Sequence, residues 1–115
     1  MTTYVLVSCI AYEGDQLITA TRTLRSLIEK LRKEVTSEVG FGEYLELHFY
    51  NGDGDLIGSH VIAHSDIPGK KINFYSKNAG YYLDNTEENW SRLLGKLQSI
   101  EVNMLREFAA KQTDV

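Results

Sequence analysis

Three histidines and one glutamate stand close together in the middle of the sequence. Glu46 and His48 lie in one run of alternating apolar and polar residues, and His60 and His64 lie in the next. Alternate side chains of a β-strand share a face, so these groups can meet on one side of a hairpin. Imidazoles at that spacing could share a metal ion, and an imidazole held by a carboxylate could transfer a proton.

The loop between the two runs decides whether these groups meet. Its composition of asparagine, aspartate and glycine is typical of a turn. A three-residue loop pairs Phe49 with Ile57, whereas a two-residue loop pairs Phe49 with Gly58. Because a shift of one residue exchanges the two faces, the apolar match favours the three-residue loop. This register predicts that Glu46 lies opposite His60 and that all three histidines project from one face.

The predicted histidine face allows two functional interpretations besides that of a plain solvated face, which antiparallel sheets usually have. The candidate metal or acid-base residues on it are His48, His60, Glu46 and His64. They match no motif with metal-ligand spacing, so we predict no bound metal and no cofactor. As a partner-binding surface, the face combines aromatic and imidazole side chains. The predicted partner-binding residues are Tyr44, Glu46, His48, Tyr50, His60 and Tyr75.

Motifs of the common enzyme classes are missing from the sequence. It has no phosphate-binding Gly-x-x-x-x-Gly-Lys-Ser/Thr, no His-Glu-x-x-His and no Gly-x-Ser-x-Gly. Ser59 and His60 are adjacent in a predicted strand and therefore point to opposite faces, so they do not form a nucleophile and base pair. We predict no catalytic residue and favour a protein that is not an enzyme.

The elements before the hairpin are a strand and a helix. Residues 3–12 are apolar at both alternating sets of positions, which predicts a strand in the centre of the sheet or in an oligomer interface. Cys9, the only cysteine, is expected to be buried in this strand, and a lone thiol favours a reducing compartment. Apolar residues at helical spacing then predict an amphipathic helix from about Leu17 to Thr36.

The elements after the hairpin complete an α+β domain. Lys70–Tyr75 is predicted as a third strand of the sheet, and Asp84 or Asn85 is predicted to cap a helix that runs to about Lys111. The expected fold is a single domain over residues 1–115 with the order β-α-β-β-β-α. Its sheet is expected to be mainly antiparallel, with two helices packed on one face.

The last predicted helix is long for so small a sheet. About 25 residues extend ~38 Å at 1.5 Å per residue. Trp90, Leu97 and Met104 are seven residues apart, which suggests a self-associating helix pair, although Glu101 falls at a core position of the repeat. The alternative is a helix laid diagonally over its own sheet. We favour a homodimer through this helix, since two-fold assemblies are the commonest oligomers.

Charge and hydropathy limit the kinds of partner. The chain has 12 basic and 16 acidic residues, and its net charge of −4 argues against broad phosphate-backbone binding. Four basic residues of the first helix region form a candidate patch for a partner or a nucleic acid, although a solvated helix face is the simpler interpretation. These residues are Arg22, Arg25, Arg32 and Lys33. No apolar run spans a bilayer and no signal peptide is present, so we expect a soluble cytoplasmic protein without membrane contact.

These observations favour a small acidic protein-binding module of the inhibitor, immunity or adaptor type. It would act through its aromatic and histidine-bearing sheet face or through an acidic rim. The first alternative is a small metal-binding or acid-base enzyme that uses His48, His60 and Glu46. The second alternative is a nucleic-acid-binding protein that uses the basic first helix. The sequence does not identify the partner.

Overall fold

The computed structural model describes residues 2–10, 14–36, 44–64, 72–73, 82–83 and 86–113. The elements are β1 (Thr3–Ile10), β2 (Gly14–Thr21), α1 (Leu24–Thr36), β3 (Tyr44–Tyr50), β4 (Leu56–His64), β5 (Ile72–Asn73), β6 (Tyr82–Leu83) and α2 (Glu87–Thr113). An antiparallel sheet has the strand order β2-β1-β3-β4, and β5 pairs with β6 in a separate two-stranded sheet. The described part of the predicted strand Lys70–Tyr75, Ile72–Asn73, is therefore a strand but does not pair with the four-stranded sheet. The predicted α+β class, with a mainly antiparallel sheet and two helices, is confirmed.

β1 lies in the centre of the sheet, which is one of the two positions that its doubly apolar sequence predicts. It pairs with β2 on one side and with β3 on the other. Leu6 and Val7 point to opposite faces of the strand, and both are buried. A strand with neighbours on both sides can bury both sets of side chains, which explains why neither set is polar.

β2 occupies residues that the sequence assigns to the first turns of a helix, so that boundary was wrong. Gly14 has a φ of 89° and allows the chain to turn back onto β1. The β-branched residues that follow favour an extended strand. A bulge leaves Ile18 unpaired, and Ile18 packs against the core. α1 begins only at Leu24, where the Thr23 hydroxyl accepts a hydrogen bond from the backbone N–H of Ser26 at 3.1 Å.

Both helices pack on the same face of the sheet, which we call the inner face. This arrangement agrees with the prediction. It buries apolar side chains from β1, β3 and β4 against those of α1 and α2. The core residues are Tyr4, Leu6, Leu24, Leu27, Ile28, Leu31, Leu45, Leu47, Phe49, Ile62, Trp90, Leu93 and Leu97.

α2 lies along its own sheet and uses its apolar stripe there. Trp90 and Leu97 are buried in the core, and Met104 packs against it. Glu101, the acidic residue of the stripe, accepts a hydrogen bond from the Tyr4 hydroxyl at 2.7 Å. The helix begins after Thr86, whose hydroxyl accepts a hydrogen bond from a backbone N–H, whereas the predicted caps lie outside the described residues. In the described part of the chain, neither helix has the length and apolar character that a membrane span requires.

The hairpin of β3 and β4 begins in the predicted register and then departs from it. Gly54 has a φ of 85° and Tyr50 pairs with Leu56, as the three-residue loop predicts. A bulge at the next residue, Ile57, then brings Gly58 opposite Phe49. A second bulge, at Ile62, shifts the far end of β4 once more. The predicted pairing of Phe49 with Ile57 was therefore wrong.

Candidate partner-binding face

The face of the sheet opposite the helices, which we call the outer face, is formed by all four strands. Paired residues of adjacent strands project to the same side, so the register defines its members. Neither helix packs on it, because the buried apolar residues of both helices belong to the core on the inner side. The described side chains of the outer face are Thr3, Val5, Val7, Cys9, Asp15, Leu17, Ala20, Tyr44, Glu46, His48, Tyr50, Leu56, Ser59 and Val61.

A paired carboxylate and imidazole lie in the centre of the outer face. His48 Nε2 is 2.9 Å from Glu46 Oε1, and the two side chains are 18% and 21% exposed. The rings of His48 and Tyr50 follow at a centroid distance of 6.4 Å. The carboxylate thus orients the imidazole ring. Ser59 lies opposite His48, a pairing that was not predicted because it depends on the bulge at Ile57.

His60 does not belong to this surface, so the predicted grouping of the three histidines was wrong. The bulge at Ile57 places His60 opposite Leu47 on the inner face, where it is 1% exposed. The sheet separates it from Glu46 and His48, and the three residues do not form the proposed joint metal or acid-base site. Among the residues that the structure describes, no three histidine, cysteine, aspartate or glutamate side chains are placed to hold a metal ion.

The remaining predicted residues of the histidine face have different outcomes. Tyr44 and Tyr50 are half-buried on the outer face, on the same strand as His48. The backbone of His64 pairs with Tyr44, but its side chain lies outside the described residues, and so does Tyr75. The strand alternation of β3 therefore brings four of the predicted partner-binding residues together: Tyr44, Glu46, His48 and Tyr50.

Cys9 lies between Asp15 and Tyr44 at one end of the outer face. It is 3% exposed. Burial raises the pKa of the Cys9 thiol to about 11, a hydrogen bond with Asp15 adds to the rise in pKa, and a hydrogen bond with Tyr44 opposes it. A thiol with so high a pKa is almost entirely protonated at neutral pH and is a poor nucleophile. Cys9 is therefore a structural residue of this face.

Two exposed leucines stand on the edge strands of the outer face. Leu17 of β2 is 63% exposed and Leu56 of β4 is 50% exposed. They pair with Val7 and Tyr50, so they flank the half-buried centre of the face from opposite edges. The strand position of Leu17 was not predicted, because the spacing of Leu17 also fits the predicted helix. The alternation of Leu17 with the polar Gln16 was the signal that could have indicated a strand.

The structure divides the predicted basic patch. Arg22 lies in the bend before α1, and Arg25 and Lys33 are exposed on the helix. Arg32 instead donates two hydrogen bonds to the Glu87 carboxylate of α2 and lies 5.5 Å from the centre of the Trp90 ring. The hydrogen bonds from Arg32 lower the pKa of Glu87. Arg32 thus links the two helices, which leaves a discontinuous positive surface.

Comparisons with protein-family models, with curated proteins and with solved structures give no match to this chain. The inference of function therefore depends on the outer face, on which a paired Glu46 and His48 lie among apolar and tyrosine side chains.

Proposed function

We propose that this protein is a small binding module, not an enzyme, that binds another protein through its outer face. The observation that carries the proposal is the position of Leu17 and Leu56, two large apolar side chains that are at least half exposed on the same sheet face. Exposed apolar residues that share one surface are typical of interaction sites. The half-buried Tyr44 and Tyr50 add aromatic surface of the kind enriched at interfaces.

The polar centre of the outer face is suited to burial by a partner. Burying a charge is costly unless the charge is already paired. Glu46 and His48 are paired within the molecule at 2.9 Å and each keeps only about a fifth of its side chain exposed. Little hydration is lost when a partner covers them. The face can therefore bind through its apolar edges while the Glu46 carboxylate at its centre keeps its hydrogen bond to His48.

The proposed role is that of an inhibitor, immunity or adaptor protein, which acts by occupying a surface of its partner. Such a role needs a preformed surface and no bound cofactor. The buried lone thiol of Cys9 is compatible with a reducing compartment, and we propose a cytoplasmic location.

The proposal is tested by comparing two doubly substituted variants. Leu17→Asp with Leu56→Asp places charges on the outer face, whereas Val102→Asp with Leu105→Asp places charges on α2, where these side chains are 53% and 39% exposed. Proteins captured from a native lysate are quantified for both variants and the parent chain. We expect the outer-face variant to lose the partner that the parent and the α2 variant retain. Equal recovery by both variants would contradict the proposal.

A second candidate is a homodimer through α2. Val102 and Leu105 are three residues apart and exposed in the C-terminal half of the helix, while the residues of the seven-residue repeat face the chain's own core. A dimer would therefore use Val102 and Leu105 in place of the repeat. The two surfaces are separate, so self-association and partner binding can occur together.

An acid-base activity is the remaining alternative, reduced to the pair of Glu46 and His48. Their 2.9 Å separation is the geometry in which a carboxylate orients an imidazole for proton transfer. His60 has no part in it because His60 lies on the inner face. Turnover of a small-molecule substrate that is lost in His48→Ala and kept in Leu17→Asp would favour this alternative over the binding module.

A further inference from the structure

A hollow of about 500 Å³ opens at one end of the outer face. It is lined by Thr3 and Val5 of β1, by Tyr50, by Arg22 and by the turn that follows β3. This volume lies within the range of sites that receive a small group. The hollow is continuous with the outer face because Val5 and Tyr50 belong to both.

Local hydrogen bonds place Arg22 beside this hollow. The Thr21 hydroxyl donates to the carbonyl of Thr23 at 3.0 Å, and the Thr23 hydroxyl caps α1. These bonds fix the bend on both sides of Arg22. Thr21 pairs with Tyr4 in the sheet, so the next residue, Arg22, lies level with Thr3. Thr3 in turn pairs with Tyr50 of β3. The guanidinium group thus stands at the end of the sheet near a tyrosine.

The opposite wall of the hollow is a preformed turn. The side-chain oxygen of Asn51 accepts hydrogen bonds from the backbone N–H groups of Asp53 and Asp55, at 3.0 and 2.9 Å. The backbone N–H of Gly54 donates to the carbonyl of Asn51 at 3.1 Å. These backbone donors are satisfied within the turn and are not available to a ligand. Arg22 is the cationic group among the lining residues. In the described residues no carboxylate pairs with Arg22, in contrast to Arg32.

We propose that the hollow receives an acidic side chain, aspartate or glutamate, of the protein that binds the outer face. The proposal rests on the proposed function. Arg22 binds the carboxylate, because the planar guanidinium group matches its two oxygens, and Val5 and Tyr50 contact the methylene stem. A single positive charge balances a carboxylate. A doubly charged phosphate would be only half neutralised and would lie near the turn that carries Asp53 and Asp55.

Four probes test the chemistry of the hollow. They are the peptide acetyl-Ala-Glu-Ala-amide, its glutamine analogue, acetate and inorganic phosphate, each titrated at constant ionic strength while backbone amide resonances are followed. We expect the glutamate peptide alone to shift Val5, Tyr50 and Gly52 saturably. No saturable shift, or an equal response to the glutamine peptide, would overturn the proposal. Tighter binding of phosphate would overturn the carboxylate assignment. Acetate binding as tight as that of the peptide would overturn the assignment to a partner's side chain and would indicate a site for small acids.

Two single substitutions test the role of Arg22. Arg22→Gln should weaken binding of the glutamate peptide by roughly tenfold, whereas Arg25→Gln, an exposed arginine outside the hollow, should leave it unchanged. Equal affinity of the parent and Arg22→Gln would contradict the proposal.

Partner capture separates the inference about the hollow from the proposed function. If the variant with Leu17→Asp and Leu56→Asp loses the partner while Arg22→Gln binds the partner as tightly as the parent chain does, only the inference about the hollow fails. If peptide binding needs Arg22 but the variant with charged Leu17 and Leu56 keeps the partner, the proposed function fails, the assignment of the carboxylate to that partner fails with it, and only the carboxylate chemistry of the hollow is retained.

Discussion

Cys9 shows how the sheet controls the chemistry of one residue. Its thiol is buried between Asp15 and Tyr44, and burial is the main cause that raises its pKa to about 11. At pH 8 the thiolate fraction is then on the order of two hundredfold lower than for an ordinary thiol with a pKa of about 8.5. We expect a disulfide reagent to react with the folded protein at least ~100-fold more slowly than with the urea-unfolded chain. Comparable rates would show an accessible thiolate.

The same raised pKa makes stability depend on pH. The folded state keeps the Cys9 proton at pH values where the unfolded chain, with a pKa near 8.5, has released it. The contribution of this thiol to stability is therefore complete below about pH 8.5 and is lost as the pH rises towards 11. Cys9→Ser, compared with the parent in urea unfolding across this range, should show a weaker decline.

The hydrogen bond from Tyr4 to Glu101 joins the central strand to α2. The donor lies in the core at 7% exposure and also packs edge-on against Phe49, with ring centroids 5.6 Å apart. Burial, and then the hydrogen bond to Glu101, raises the pKa of the Tyr4 hydroxyl well above its usual range. Tyr4→Phe keeps the ring and removes the donor, so we expect a loss of about 1.5 kcal/mol in urea unfolding.

A double-mutant cycle controls for this assignment. Glu101→Gln combined with Tyr4→Phe should cost less than the sum of the two single substitutions, because the two residues share one interaction. Strict additivity would show that the two groups act independently.

Single residues differ in how far their neighbours could be predicted from the sequence. Glu46, His48 and Tyr50 share a face because they alternate along one strand, which requires no knowledge of the pairing. The face of His60 relative to theirs depends on the register between two strands. That register changes at the bulge at Ile57, the second residue of β4, so the sequence placed His60 on the wrong side.

At the scale of elements, the bulges in β4 have a physical cause. Ile57 and Ile62 are five residues apart, so a regular strand would point them to opposite faces. With an extra residue at each of these positions, both isoleucines pack on the core. The conflict between burying both side chains and keeping regular alternation is visible in the sequence. The positions of the two bulges cannot be predicted from the sequence, because they depend on the space between β4 and α2.

At Gly58, β4 lies so close to α2 that a larger side chain would not fit without movement of α2 side chains. A Cβ atom added there would lie 2.5 Å from the sulfur of Met104. A methionine end is flexible, so Gly58→Ala should be tolerated better than a branched side chain. We expect Gly58→Val to destabilise the protein by about 1–3 kcal/mol in urea unfolding, the usual cost of overpacking.

The matched background is Met104→Ala, which removes the obstructing atoms. In that background the cost of Gly58→Val should fall by at least about half. An unchanged cost would show that the glycine is needed by the backbone of β4 and not for contact with α2.

At the scale of the whole molecule, the sheet has one face covered by helices and one without them. The sequence predicts the strands of the central hairpin, the central position of β1 and the presence of both helices, because each has a strong local pattern. The sequence pattern misassigns β2. The extra residue at Ile18, which packs against the core, gives the apolar residues of this strand a spacing that also fits a helix. The outer-face position of Leu17 follows from β2 and was not predictable, whereas the pairing of Leu56 with Tyr50 agrees with the predicted three-residue loop.

The proposed self-association can be measured as a mass. The chain has a mass of 13.1 kDa. If α2 forms the dimer contact, light scattering should give roughly twice this mass. Val102→Asp with Leu105→Asp should return the measured mass to that of one chain, because charges replace exposed apolar side chains. The variant with charged Leu17 and Leu56 serves as the control and should keep the doubled mass. A parent protein with the mass of a single chain would exclude the dimer.

The sole tryptophan lies between the helices, where it is 2% exposed and has the Arg32 guanidinium 5.5 Å from its ring centre. Its fluorescence is therefore an optical reporter of helix docking. Excitation of this indole should reveal separation of α1 from α2 as a red shift, while occupation of the far side of the sheet should leave the emission maximum unchanged. Titrations of a partner consequently need an extrinsic dye on the outer strands, whereas unfolding can be followed without any label.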